Sequence, residues 1–351
     1  MRLLIANGGT GGHLYPGIAV AQEFLSRHPE NEVLFVGTRR GMEAAILPQL
    51  NYPVAFIAIH PWMGKSFWEK IKTVMIFPVS LAQSARIMLR FRPDFVLGVG
   101  GYASFPVMMA AFLLRKRRAI HEQNIIPGLT NRILARLVCE VFVSFEASTA
   151  YFPEKKAVFT GNPIRKFREL ELKKQEFFTV FIFGGSQGAH SLNWAMLDAL
   201  PLLFELKDKI HIIHQTGRGD LRWVKSAYFQ SQWKAEIYDF IQNIESIYAK
   251  SDYVICRAGA SSLGELSFLR KASTLIPYPH AARNHQEQNA RVLEKQQAAR
   301  VLLDWQLNGI RLAQEIKWAF HHPRELEEMR KNIVRFSQPY AARAIVDELT
   351  R

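Results

Sequence analysis

Cysteine is nearly missing from this 351-residue sequence: Cys139 and Cys256 stand far apart, each at the end of an apolar run. That excludes a disulfide scaffold or a cysteine-rich zinc site and fits a reducing compartment. Asp-x-Asp pairs are absent, so a metal-bridged diphosphate lacks an obvious anchor. The start, Met1-Arg2-Leu3-Leu4-Ile5, holds too few apolar residues for a signal-peptide core, and export is not expected. Long apolar runs are scarce too. The longest uncharged stretch, Phe95 to Leu114, has the length of a membrane span, but Gly98, Gly100, Gly101, Tyr102, Ser104 and Pro106 interrupt it, which predicts a strand, a glycine turn and a helix. Acid is in deficit: 45 Lys and Arg against 31 Asp and Glu give a net charge of +14, which calls for an anionic partner or surface. Ten of the basic residues and only two acidic ones lie within residues 60–118.

The length predicts two cores, and 48% apolar with 22% charged residues is ordinary globular composition. Short β-rich runs alternate with helical patterns, the mark of βα units and a parallel sheet. One series of strands covers Leu3–Ala6, Val33–Val36, Val54–Ile57, Phe95–Leu97, Arg118–His121, Val141–Val143 and Ala157–Phe159. A second covers Thr179–Phe183, Ile210–His214, Ile237–Phe240, Tyr253–Cys256, Thr274–Ile276 and Val301–Leu303. Gly161-Asn162-Pro163 and the charged stretch from Arg165 to Glu176 separate them, giving domains 1–160 and 165–335. Each series opens with a strand running into glycines and then a helix: Asn7-Gly8-Gly9-Thr10-Gly11-Gly12 in the first, Gly184-Gly185-Ser186-Gln187-Gly188 in the second. The expected fold class is α/β, two doubly wound domains facing a cleft.

Such turns gather backbone N–H groups and a positive helix end at one point, which suits a phosphate. A third is Gly98-Val99-Gly100-Gly101. Each turn alone is equally explained by tight βα packing; their repetition favours a diphosphate ligand. The familiar nucleotide motifs fail. Gly-x-Gly-x-x-Gly from Gly9 needs glycine at Leu14, and the second strand ends in Gly37-Thr38-Arg39-Arg40 without the acid of an NAD site. Arg39 and Arg40 leave a 2′-phosphate open. Gly64-Lys65-Ser66 imitates a P-loop, but the first glycine falls on Ile59. His211 and His214 point to opposite faces of one strand, and no metal site is expected.

Five blocks resemble one family, the membrane-associated N-acetylglucosaminyltransferases of peptidoglycan synthesis (the MurG type). They are Gly8 to His13, Gly100-Gly101-Tyr102, His121-Glu122-Gln123-Asn124, Gly184 to Gly188, and Cys256-Arg257-Ala258-Gly259-Ala260 with Glu265; His285-Gln286 and Asn289-Ala290 add a sixth. The resemblance implies a GT-B architecture of two Rossmann-like domains, the second holding the donor nucleotide, with a C-terminal helix, 338–351, crossing back to the first. It implies inverting transfer of N-acetylglucosamine from its UDP form to the 4-hydroxyl of the muramoyl sugar of lipid I, giving lipid II, without cofactor or metal.

By the same resemblance Glu265 binds the ribose diol, within the segment Ala260, Ser261, Ser262, Leu263, Gly264 and Glu265, and a carboxylate does offer paired acceptors to a diol. Ser186 and Arg165 attend the diphosphate, Ile241 meets uracil, and Asn124, Gln286 and Ala260 meet the donor sugar. Thr10, Gly11 and Gly12 approach the sugar and the acceptor's diphosphate, and Tyr102 lines the acceptor side. His13 is the titrating side chain at the first turn, suited to take the acceptor hydroxyl proton, with Glu122 a second candidate that is equally read as structural. Plainer readings stand beside these: a helix-start acid for Glu265, a solvated charge for Arg165, a core residue for Ile241, a turn-capping amide for Asn124, a backbone-orienting ring for His13. Phe105, where the family commonly has glycine, and Arg283-Asn284, where it has an acidic pair, depart from the pattern.

The segment from Trp62 to Phe77, with Lys65, Lys70 and Lys72, is expected to dock on the anionic inner face of the cytoplasmic membrane. Phe67, Ile71, Val74 and Met75 at helical spacing read alone as a core-facing stripe, and Trp62, Trp68 and the lysines beside them tip the balance to the membrane. No nucleic acid is expected, since the basic cluster matches no recognised RNA motif.

Overall fold

The computed structural model describes residues 1–9, 11–60, 66–165, 167 and 176–351, apart from the side chains of Phe67, Glu69 and Lys70. Two compact units are present: Met1–Arg165 with Gln338–Arg351, and Lys166–Ser337. Thr10, Trp62, Met63 and Lys65 lie outside the described residues.

The first unit holds β1 (Arg2–Ala6), β2 (Glu32–Gly37), β3 (Val54–Phe56), β4 (Phe95–Gly98), β5 (Arg117–Glu122), β6 (Glu140–Val143) and β7 (Ala157–Phe159), all paired in parallel in the order β3-β2-β1-β4-β5-β6-β7. Its helices are α1 (Gly11–Arg27), α2 (Glu43–Gln49), α3 (Phe67–Phe91), α4 (Ser104–Leu113) and α5 (Leu129–Leu134). The uncharged stretch from Phe95 is therefore divided among β4, a glycine turn and α4.

The second unit holds β8 (Phe178–Phe183), β9 (Ile210–Gln215), β10 (Ala235–Tyr238), β11 (Tyr253–Cys256), β12 (Ser273–Leu275) and β13 (Arg300–Val301), in the order β10-β9-β8-β11-β12-β13. Around them run α6 (His190–Ala199), α7 (Leu221–Gln230), α8 (Ile244–Lys250), α9 (Ala260–Phe268), α10 (His285–Lys295), α11 (Gly309–His321) and α12 (Pro323–Ile333). The last helix, α13 (Ala341–Thr350), returns to the first unit.

Both sheets wind outward in two directions from the strand that precedes a glycine turn. Leu3, Leu4 and Ile5 in β1 and Val180, Phe181 and Ile182 in β8 are wholly buried, as central parallel strands covered on both faces must be. Each such side chain contributes about 1.5–3 kcal/mol. The reversal of strand order falls between β1 and β4 and between β8 and β11, so both glycine turns lie at switch points. Three strands are offset from the expectation: β12 and β13 begin one residue earlier than Thr274 and Val301 and end at Leu275 and Val301, and, where Ile237–Phe240 is read from the sequence, β10 pairs from Ala235 opposite Ile212 to Tyr238 opposite Gln215. Its register follows β9, and the strand ends before Asp239.

Alpha13 completes the first core. Ile345, Val346 and Leu349 are buried beside Leu14, Ile18 and Phe24 of α1, and Arg27 pairs with Asp347 at 2.9 Å.

Candidate active site

In the first unit the chain leaves β1 through Asn7, Gly8 and Gly9 and enters α1, whose third residue is His13. The turn after β4 closes against it. Gly101 has φ +80°, and a Cβ there would lie 2.1 Å from the Gly8 carbonyl oxygen, so the two backbones touch only because a side chain is missing.

His13 Nδ1 lies 3.1 Å from Gln123 Oε1. Gln123 Nε2 donates to the Val99 carbonyl at 2.8 Å and lies 3.0 Å from His121 Nδ1. His121 Nε2 meets the Gly161 carbonyl at 3.2 Å and Ser144 Oγ at 3.2 Å. Burial drives the His121 pKa down to about 4, so the ring is neutral at pH 7.

Tyr102 and Asn124 are each held by a buried carboxylate. Glu43 accepts from Thr38 N at 2.7 Å, Thr38 Oγ1 at 3.1 Å and Gly9 N at 3.4 Å. Because Thr38 gives its hydroxyl proton to Glu43, the Tyr102 hydroxyl, 3.1 Å away, donates to Thr38. Glu122 accepts from Asn124 N at 2.9 Å, Asn124 Nδ2 at 3.2 Å, Gly128 N at 3.0 Å and Asn131 Nδ2 at 2.9 Å. Four donors occupy this carboxylate, which makes it an anchor for Asn124. Arg165 is the last residue of this unit, its guanidinium 4.4 Å from the centre of the Tyr15 ring on α1. Arg39 lies over Phe56.

The second unit repeats the plan with different parts. Beyond β8, Gly184 to Gly188 lead to α6, and a Cβ on Gly188 would lie 1.9 Å from the Thr216 carbonyl oxygen. Gln215, at the end of β9, bridges the turn to the segment after β10: its Nε2 donates to Gly185 O at 2.9 Å, and its Oε1 accepts from Ile241 N at 3.0 Å. Ser186 sits inside this turn, and Ile241 is mostly buried. At the end of β11, Gly259 is extended and α9 begins at Ala260, so Ser261 and Ser262 occupy its first turn with Leu263, Gly264 and Glu265 following. Glu265 is buried and accepts from Tyr248 Oη at 3.1 Å. Arg257 braces the segment, with Asp304 at 2.5 Å, Ser191 Oγ at 2.8 Å and the Ile276 and Pro277 carbonyls at 3.3 Å. Gln286 Oε1 accepts from Tyr278 N at 2.9 Å, and the preceding Arg283 and Asn284 are both left-handed, with φ 55° and 53°.

The structure thus gathers Gly11, Gly12, His13, Tyr102 and Asn124 around the first unit's strand ends. It gathers Ser186, Ile241, the α9 segment and Gln286 around the second's. Sequence reasoning missed Glu43, Gln123 and Gln215. Gln123 sat inside a recognised block, and Gly37 and Gly41 flank Glu43 because a Cβ on either would strike its carboxylate. Among the described residues no group of three or more His, Cys, Asp or Glu is placed to hold a metal ion.

Two Rossmann-like sheets with glycine turns at their switch points, a histidine in the first turn of the helix after the first of them and a buried acid on α9 beyond β11 of the second sheet, fit a glycosyltransferase of the GT-B type. Residues 3–143 match the glycosyltransferase family 28 N-terminal domain and residues 179–345 its C-terminal domain. A UDP-N-acetylglucosamine--N-acetylmuramyl-(pentapeptide) pyrophosphoryl-undecaprenol N-acetylglucosamine transferase from Myxococcus xanthus is 46% identical over 99% of this chain and 92% of its own length. The crystal structure of Acinetobacter baumannii MurG superposes with a TM-score of 0.77 at 28% identity, covering 100% of this chain and 99% of that one. A UDP-GlcNAc 2-epimerase from Neisseria meningitidis bound to UDP-GlcNAc shares the fold alone, at TM-score 0.70 and 14% identity over 100% of both chains. The chain belongs to the MurG-type N-acetylglucosaminyltransferases of glycosyltransferase family 28.

Proposed function

We propose a division of labour between the two turns for the reaction this enzyme catalyses, the transfer of N-acetylglucosamine from UDP-N-acetylglucosamine to lipid I, which forms lipid II. The second unit holds the donor. Ile241 meets uracil, Glu265 takes the ribose diol, Ser186 and the surrounding N–H groups cradle the diphosphate, and Ala260 and Gln286 fix the sugar; Arg165 and Asn124, which belong to the first unit, add a charge for the diphosphate and an amide for the sugar. The first unit holds the acceptor, with Thr10, Gly11, Gly12 and Tyr102 against its diphosphate and sugar. The muramoyl 4-oxygen attacks C1 from the face opposite UDP, its proton passes to His13, and the C1–O bond to UDP breaks with inversion. UDP leaves as an anion stabilised by the N–H groups and the helix end, without a metal.

The observation that carries this reading is the contrast between two helix-start histidines. His190, at the start of α6, has Nδ1 on the Asp220 carboxylate at 2.9 Å, whereas His13 Nδ1 lies 3.1 Å from a neutral amide oxygen, that of Gln123. The experiment is incubation with UDP-N-acetylglucosamine, other UDP-sugars and a lipid I analogue, with and without chelator, identifying the product and its anomeric configuration. An epimerised nucleotide sugar, a retained anomer or chelator inhibition would refute the reading.

The acceptor's polyprenyl tail stays in the bilayer, so the enzyme has to reach it, and the first unit does so through α3 at the inner face of the cytoplasmic membrane. This helix is amphipathic in the reverse sense. Trp68, Val74, Met75 and Val79 are at least half exposed, whereas Thr73, Ser80 and Ser84 are buried. Ser84 Oγ donates to Ser80 O at 2.7 Å, and Phe77 packs on Phe105 at 5.6 Å, which gives the departing Phe105 a partner. The part Ile71–Phe91 is long and apolar enough to cross a membrane by length and composition. Exposed Lys72, Arg86, Arg90 and Arg92 beside it favour anionic headgroups, each by about 1 kcal/mol.

A further inference from the structure

We propose that Gln123 and His121 are positioning residues that fix the tautomer of His13, keeping the proton on Nδ1 and the lone pair on Nε2, the nitrogen that receives the acceptor proton. The inference rests on the base role given to His13 above.

It follows from two backbone carbonyls, which can only accept. The Gly161 carbonyl faces His121 Nε2 at 3.2 Å, so that nitrogen carries the hydrogen. His121 is neutral at pH 7, so its Nδ1 carries a lone pair and accepts from Gln123. The Val99 carbonyl, 2.8 Å from the Gln123 side chain, likewise demands a donor. One amide NH₂ supplies both hydrogens, and a flipped amide would set oxygen against the Val99 oxygen and against the His121 lone pair. Gln123 Oε1 is thereby turned towards His13 Nδ1 at 3.1 Å, and an oxygen that only accepts requires N–H on that ring atom. Neutral His13 is then basic at Nε2.

The alternative for the inner ring fails on the same grounds. A hydrogen on His121 Nδ1 would point at an amide nitrogen, which does not accept, and would leave the Nε2 lone pair against the Gly161 oxygen. Ser144 does not change the outcome, because its hydroxyl can donate to Asn162 Oδ1 at 3.5 Å while accepting from His121 Nε2. Val99, His121, Gln123, Ser144 and Gly161 sit on the first unit's strands and turns, so His13 is governed from the core of that unit. When the ring takes up the acceptor proton, Nδ1–H still donates to Gln123, and the new charge meets the amide oxygen without any group having to turn.

The test is nitrogen NMR of the full chain labelled with ¹⁵N-histidine, with His13 and His121 assigned by single substitution. The expected spectrum shows His13 with hydrogen on Nδ1, His121 with hydrogen on Nε2, and no titration of His121 between pH 8 and 5. Gln123→Leu should give His13 a mixture of tautomers and lower kcat by roughly 10- to 100-fold, leaving KM for UDP-N-acetylglucosamine near wild type. Hydrogen on Nε2 of His13 in the wild type overturns the inference, and needs no variant to fold. So does a Gln123→Leu enzyme with tautomer and kcat unchanged. Full turnover in His13→Ala overturns the base role instead, and the two failures are told apart because the tautomers are read without turnover.

Discussion

The two glycine turns are built alike and finished differently. In each, a glycine presses backbone against backbone, Gly101 on Gly8 in the first unit and Gly188 on Thr216 in the second, and a buried glutamine ties the turn to a neighbouring strand. The difference lies in what the glutamine holds. Gln215 spans two backbone groups, Gly185 O and Ile241 N, so the second turn is a rigid bed of fixed dipoles. Gln123 spans two imidazoles, so the first turn presents a group that can change its protonation. A leaving diphosphate needs stationary donors, whereas a deprotonated nucleophile needs somewhere to send its proton. Under the proposed division of labour, one scaffold serves both needs by exchanging a few side chains.

Substitution at the two helix-start histidines should break the comparison most sharply. His13→Ala is expected to lose about 10²-fold or more in kcat with UDP affinity near wild type, as for a group acting in the transition state. His190→Ala should retain most of its turnover, and an equal loss at both positions would end the distinction between the turns. Next in size is the donor side. Glu265→Ala should weaken UDP binding by about 1–3 kcal/mol in calorimetry, the range for stranding hydrogen-bond partners. Unchanged affinity would remove the ribose role.

Acid sharpens the comparison in another way, because each unit buries one neutral histidine. The pKa of His121 falls to about 4 and that of His214 to about 3, both through burial. From pH 6.5 downwards the unfolded chain binds a proton that the folded chain refuses, so stability drops as pH falls through that window. Each ring should account for about 2 kcal/mol between pH 7 and 5. Five of the seven tryptophans lie in residues 166–337, so denaturation followed by their fluorescence reports mainly the second unit. His214→Gln should flatten that unit's pH dependence, and an unaltered slope would place the acid sensitivity elsewhere. The smallest effect concerns the first unit alone. Trp68→Ser with Lys72→Glu should reduce sedimentation with anionic vesicles a few-fold, an effect that salt diminishes in the wild type. Identical sedimentation of the two proteins would detach α3 from the membrane.

Most of the fold was legible because parallel strands buried on both faces read as short apolar runs. Beta10 slipped by two residues because Ile237 to Phe240 are as apolar as their predecessors and only pairing with β9 settles the register. At the proposed site, His13, Ser186 and Glu265 draw attention in the sequence because each follows glycines in the chain. The residues that hold the site do not, since their partners are distant: Gln123 reaches His13 across 110 positions and Glu43 reaches Gly9 across 34. Glu122 shows the limit of reading by residue type. A carboxylate there reads as a second candidate base or equally as a structural group, and the four donors around it are seen only in the structure.

Alpha13 has a consequence for biosynthesis. Its Ile345, Val346 and Leu349 fill the core against α1, yet they are translated after the whole of the second unit. The part of the protein made first is therefore finished last, and a ribosome that has already produced every strand of both sheets still carries an N-terminal unit with an apolar face uncovered. A stop codon near Gln338 should spare the later-made unit and leave the earlier one prone to aggregation.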